Sequence, residues 1–195
     1  PTRKAIGRMS AEGCRNDGTI TLPDGSGNLI CPDAAYTTGN LGKGWNELDL
    51  VPHRLTTSAG NQAGVTTTYN AYVAADYQTA GKTGYDVISE PVTNDAKSDA
   101  SCTVTAGPEA TLGSPGSPFG GGTDVVRYRE LTITQNPGTT CVFDYYERLA
   151  LGAHLYPGAS LQSYMFDQVG LSGGKKTISI PVNEILPQSL SKDMS

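Results

Sequence analysis

Four cysteines, at positions 14, 31, 102 and 141, constrain this chain more than any other feature. They are isolated from one another, with no C-x-x-C pair, and the two histidines, His53 and His154, are remote from them in sequence. A redox motif or a metal site needs closer company than that. An even number of such cysteines in a β-rich chain reads as two structural disulfides, Cys14–Cys31 and Cys102–Cys141. Bridges of this kind persist in oxidising compartments, outside the cytosol. The first would clamp a terminal hairpin too short to hold itself. The second would close a loop around a Gly/Pro/Ser stretch, contributing about 3–4 kcal/mol in the loop-entropy account.

The rest of the composition agrees with a strand-and-turn protein. Of 195 residues, 24 are Gly and 12 are Pro, and only 17% are charged, so helix formers are scarce. Yet 37% are hydrophobic and ten are Tyr, more than a disordered chain carries. A net charge of −5 argues against nucleic acid as a partner, because phosphate needs a basic surface. The basic run Arg3, Lys4 and Arg8 reads as a solvated tail. No stretch reaches the roughly 18 apolar residues of a membrane span. A chain that begins with Pro and shows no signal peptide suggests a processed mature protein or a piece excised from a longer one.

Strand signals recur along the chain. Gly18–Leu22 and Asn28–Cys31 flank the Asp24–Gly27 turn as a hairpin. Strands are expected at Trp45–Val51, Thr66–Tyr77, Tyr85–Val92 and Ser101–Ala106. Tyr69, Ala71, Val73, Ala75 and Tyr77 share one face of the second. Residues 107–122 form a low-complexity loop inside one domain. Asp124–Thr134 alternates imperfectly, which suggests a bulge near Arg129. Thr140–Tyr146 reads as strand and Glu147–Leu151 as a helical turn. Ser160–Phe166 and Lys176–Ile185 close the series, and Pro181 places the last at a sheet edge. About ten short strands predict an all-β, two-sheet β-sandwich of immunoglobulin-like or jelly-roll-like kind. One domain is expected over 1–195, with extended segments at 1–10 and 186–195.

Catalytic candidates are thin. Gly158-Ala159-Ser160-Leu161 does not match a nucleophile elbow, and His53 and His154 read as ordinary structural or surface histidines. Glu47 and Asp49 share a strand face by spacing, which reads as the solvent side of an amphipathic strand and only secondarily as a hydrolase pair. Asp144 and Glu147, among aromatics and beside Arg148, suggest a buried Arg–carboxylate pair. Asp24, Ser26 and Asn28 place oxygens as the start of a calcium loop does, but Ala35 stands where the bidentate Glu belongs. A hairpin turn is the plainer reading, and no cofactor is expected. The tyrosines with Trp45 are core or cross-strand material; Trp45, Tyr72 and Tyr156 are the candidates for stacking on sugar rings or at an interface.

Two runs, GNLGKGWNELDLVPHRL at 39–55 and TCVFDYYERLALGAHLYPGASLQSYMF from Thr140 with KKTISIPVNEILPQSLSKDM from Lys175, resemble segments of large secreted bacterial surface proteins. These are adhesin-like or fibre-like chains of β-sandwich modules. The resemblance implies a structural or adhesive role and no site residues. The expectation is therefore a non-enzymatic extracellular or cell-surface protein, a fibre subunit or adhesin module. Its partners would be copies of itself or neighbouring modules. Ile178, Ile180 and Val182 would serve assembly by terminal strand exchange. The alternative is a carbohydrate-binding module with glycan partners.

Overall fold

The structure, a computed structural model, describes residues 7–20, 31–60, 66–113, 123–167 and 175–188. Two antiparallel sheets pack face to face, as the sequence predicts. The first runs β2 (Tyr36–Thr37), β1 (Arg8–Cys14), β3 (Leu50–Ser58), β11 (Thr140–Leu149), β6 (Tyr85–Ile88), with β7 (Val92–Thr93) also on β11. The second runs β13 (Lys176–Pro181), β12 (Ser160–Asp167), β4 (Thr67–Thr79), β10 (Val125–Gln135), β8 (Thr103–Ala106). There β9 (Ala110–Gly113) also pairs with β10, and β5 (Lys82–Thr83) with β4. Ala80 and Gly81, at φ 51° and 77°, turn β4 into β5, and such paired left-handed residues match the twist of the strands they join.

The inner faces follow the period of two. On β4, Tyr69, Ala71, Val73 and Ala75 are buried; across the gap Leu55 and Phe143 meet them from β3 and β11. Where a polar residue takes an inward position it finds partners. Gln135 Oε1 accepts from Thr57 Oγ1 at 2.8 Å and from the Tyr69 hydroxyl at 2.5 Å, which ties the sheets together by their side chains.

Both disulfides form as the spacing predicts, joining Cys14 to Cys31 and Cys102 to Cys141. The expected return strand before Cys31 lies outside the described residues. Gly18–Ile20 is not strand: Asn16 Oδ1 accepts the Gly18 N–H at 2.7 Å, folding the chain into a turn.

Four further expectations are corrected. Residues 45–49 form a turn, and β3 begins at Leu50. Asp49 Oδ2 accepts the Asn46 N–H at 2.7 Å and Leu48 takes φ 73°, so a side chain competes successfully with the ladder. β11 runs on through Leu149, because β3 and β6 pair with it on both sides over Glu147 and Arg148. The β10 irregularity sits at Val125/Val126, away from Arg129. Arg127 and Arg129 keep the inward phase of their strand and reach the carbonyls of Asp86, Ile88 and Gly107. The 107–122 stretch contains β9.

Candidate functional site

At one end of the sandwich the chain makes a clamp around Glu47. The turn at 45–49 meets the C-terminal segment through a parallel bridge, Asn46 to Leu186, with Glu47 N–H donating to the Leu186 carbonyl at 2.9 Å. The Glu47 side chain is buried. Its Oε1 accepts the Gln188 N–H at 3.0 Å; its Oε2 accepts the His154 backbone N–H at 3.2 Å and meets His154 Nδ1 in a short contact. Burial pushes this carboxyl up, but the donors from His154, Gln188 and Gly152 outweigh it, and its pKa is lowered. The short 3₁₀ turn Ala153–Leu155 is thereby pinned to the last described residues, 141 positions away in sequence from Glu47 at Gln188.

Exposed leucines stand among the polar residues around this clamp. Of the six exposed large hydrophobic residues among those described, four are Leu48, Leu151, Leu155 and Leu186, at 44%, 54%, 54% and 45% exposure. Backbone hydrogen bonds tie Leu48 to Leu149, Leu186 to Trp45 and Leu155 to Gly152, and the bond from the Ala153 N–H to the Ala150 carbonyl closes the turn that carries Leu151, so the four sit on connected segments of one frame. Beside it opens a cleft of about 510 Å³ lined by His154, Leu155, Tyr156, Gly158, Ala159, Val182 and Asn183. Sequence reading missed this arrangement. Glu47 and His154 are 107 residues apart, and no local pattern announces their meeting.

Two of the three proposed sugar-stacking residues are buried, and the third packs against neighbouring rings. Trp45 is fully buried, its indole N–H shared between the carbonyls of Leu41 and Cys14 at 3.0 and 3.2 Å. Tyr156 is buried, with its hydroxyl 2.8 Å from Thr79 Oγ1. Tyr72 lies on the outer face of the second sheet, but its ring stacks on Phe166 at 5.1 Å and 10° and meets Tyr128 at 5.9 Å. Glu130 accepts from the Tyr72 hydroxyl at 2.8 Å.

Ile178, Ile180 and Val182, expected to serve assembly, are buried in the chain's own sandwich. β13 is an edge strand, as Pro181 predicts, and pairs with β12. Its Ser179 carbonyl accepts the Leu41 N–H at 3.1 Å, so the loop before Trp45 covers part of that edge. Asp24, Ser26 and Asn28, the calcium candidates, lie outside the described residues. Among the described residues no cluster of three His, Cys, Asp or Glu side chains could hold a metal ion.

Of the acids flanked by aromatics, Asp144 does join a buried arginine pair, with Arg54 rather than Arg148. Arg54 Nε donates to Asp144 Oδ1 at 2.8 Å, while its guanidinium lies 4.0 Å over the Tyr36 ring. Arg148 instead grips Asp86 through two bonds of 2.9 Å. Glu147 points into the core beside His53; both are fully buried. Glu47 and Asp49, weighed as a hydrolase pair, engage different segments: Asp49 accepts the Asn46 N–H within the turn, and Glu47 accepts from the backbone of His154 and Gln188. No helix among the described residues is long and apolar enough to cross a membrane. No protein-family model matches the chain, and a search of curated proteins returns no match.

Proposed function

We propose that this is a non-enzymatic extracellular structural module, a subunit of a surface fibre or a module of a large adhesin, that associates with copies of itself through the leucine-rimmed end. The observation that carries the reading is the gathering of Leu48, Leu151, Leu155 and Leu186 on the frame built by Glu47. Single exposed leucines are ordinary, whereas a group of them on a rigid, hydrogen-bonded end marks a contact surface. A second copy of the chain is the proposed occupant. The frame also holds Gln188, whose N–H donates to Glu47 Oε1.

Two further features support a mechanical role. Each disulfide anchors a loop to a core strand, Cys14 at the end of β1 and Cys141 on β11, which suits a protein outside the cell. Both histidines are engaged inside the fold: His53 is buried beside Glu147, and the His154 imidazole is held by Glu47. Electron microscopy of the protein purified from its native surface tests the reading. Oligomers or fibres in which this end meets a neighbour are expected. Single copies under all conditions, with no partner chain, would contradict it.

A further inference from the structure

Glu147 projects from β11 into the core, and neither carboxyl oxygen has a hydrogen-bond partner. On the adjacent strand His53 is equally buried, with Nε2 3.7 Å from Glu147 Oε1. This is too long for a hydrogen bond but close enough that the charge on one group governs the charge on the other. The imidazole is fixed at both nitrogens. Nδ1 lies 2.9 Å from the Val51 carbonyl, which can only accept, so Nδ1 carries a hydrogen. Nε2 lies 2.9 Å from Ser163 Oγ on β12, which can donate to a bare nitrogen or accept from a protonated one. The ring is therefore equipped for either protonation state.

The surrounding groups supply no fixed compensating charge. Tyr85 faces the pair from β6 with its hydroxyl buried and unpartnered, and Tyr145 from β11; burial holds both phenols well above their ordinary range. Asp76 on β4 is engaged by the Tyr164 hydroxyl at 2.6 Å, by Thr123 Oγ1 and by the Gln162 N–H. Among the described residues no lysine or arginine nitrogen lies within 4.0 Å of the Glu147 carboxylate.

With no proton on the pair beyond the Nδ1 hydrogen, a lone carboxylate is buried; with two, a lone imidazolium is buried. Either costs several kcal/mol. With one, the pair is neutral overall, as imidazole beside carboxylic acid or as imidazolium beside carboxylate. We infer that His53 and Glu147 form a buried one-proton site that makes the folded protein most stable in mildly acidic solution and weakens it progressively toward alkaline pH.

The sign is fixed by the unfolded chain, where the ordinary values are 4.5 for Glu and 6.5 for His. Below 4.5 it binds two protons on these residues, between the two values one, and above 6.5 none. The folded pair holds one throughout, so stability is flat between the two values and falls on both sides. Burial favours the neutral form of each member, holding the Glu147 carboxyl well above its ordinary range and pushing His53 down to about 4.

Denaturant unfolding of the full chain, disulfides intact, tests this across pH. Above 6.5 the folding constant should fall about tenfold per pH unit until the pair loses its proton. Glu147→Gln should abolish that alkaline decline. A wild-type constant that stays flat to about pH 8.5, or a Glu147→Gln variant that keeps the wild-type decline, overturns the inference. Should the variant not fold, carboxyl-carbon and imidazole-nitrogen NMR of the wild-type protein decides. One proton retained on the pair at about pH 7.5 is expected, and an ionised Glu147 beside a neutral His53 overturns it.

Discussion

The indole N–H of Trp45 donates to the backbone carbonyl of Cys14 at 3.2 Å, joining the disulfide-bearing end of β1 to the turn that carries Glu47. The same N–H reaches the Leu41 carbonyl at 3.0 Å, so one buried ring fixes three segments. Trp45→Phe would leave both carbonyls without this donor and open a void in a fully buried site. A loss of about 2–4 kcal/mol is expected in urea denaturation, with the fold retained.

Arg54 and Asp144 are buried partners on neighbouring strands, paired in register. Arg54→Met would strand the Asp144 carboxylate and cost about 3–5 kcal/mol, whereas the double change to Met and Leu should cost much less. A double-mutant cycle by chemical denaturation checks the difference. Asp33, exposed at its side chain and shared with Lys97, should matter far less.

The two disulfides close loops of 17 and 39 residues. Replacing Cys102 and Cys141 by Ala should destabilise by about 4 kcal/mol and replacing Cys14 and Cys31 by about 3 kcal/mol, the larger loop freeing the unfolded chain more. Denaturation midpoints of the two double variants, and of the reduced wild-type protein, provide the check.

Gly84 sits where the chain enters β6, and a Cβ there would lie 2.2 Å from Leu161 Cδ1 and 2.9 Å from the Asp76 carbonyl. Leu161 is fully buried and cannot withdraw without disturbing the core. Gly84→Ala should therefore lower stability by about 1–3 kcal/mol in thermal unfolding.

Much of the fold was legible because period-two alternation records burial directly. Tyr69 to Ala75 on β4 are readable in this way, while proline's missing N–H gives the edge position of the strand ending at Pro181 and cysteine spacing gives both pairings. The misreadings cluster where polar side chains hold the backbone or are buried among distant neighbours. Asp49 and Leu48 read as strand because alternation cannot register a side chain capping a turn. Glu147 read as the start of a helical turn because a buried acid looks like an exposed one until its neighbours are known. The clamp of Glu47, His154 and Gln188 was illegible for the same reason, being assembled by topology from three distant segments. Trp45, Tyr72 and Tyr156 were singled out by residue type, which does not reveal whether a ring is buried or packed against neighbouring rings.

The most direct measurement is sedimentation velocity of the purified protein over a concentration series, beside a Leu151→Asp, Leu155→Asp variant. These leucines are more than half exposed, so the variant should fold with stability within about 0.5 kcal/mol of wild type. Concentration-dependent association of the wild-type protein, abolished in the variant, is the expected result. A wild-type protein that stays monomeric at every concentration, or a variant that associates as strongly as wild type, would contradict the proposed contact.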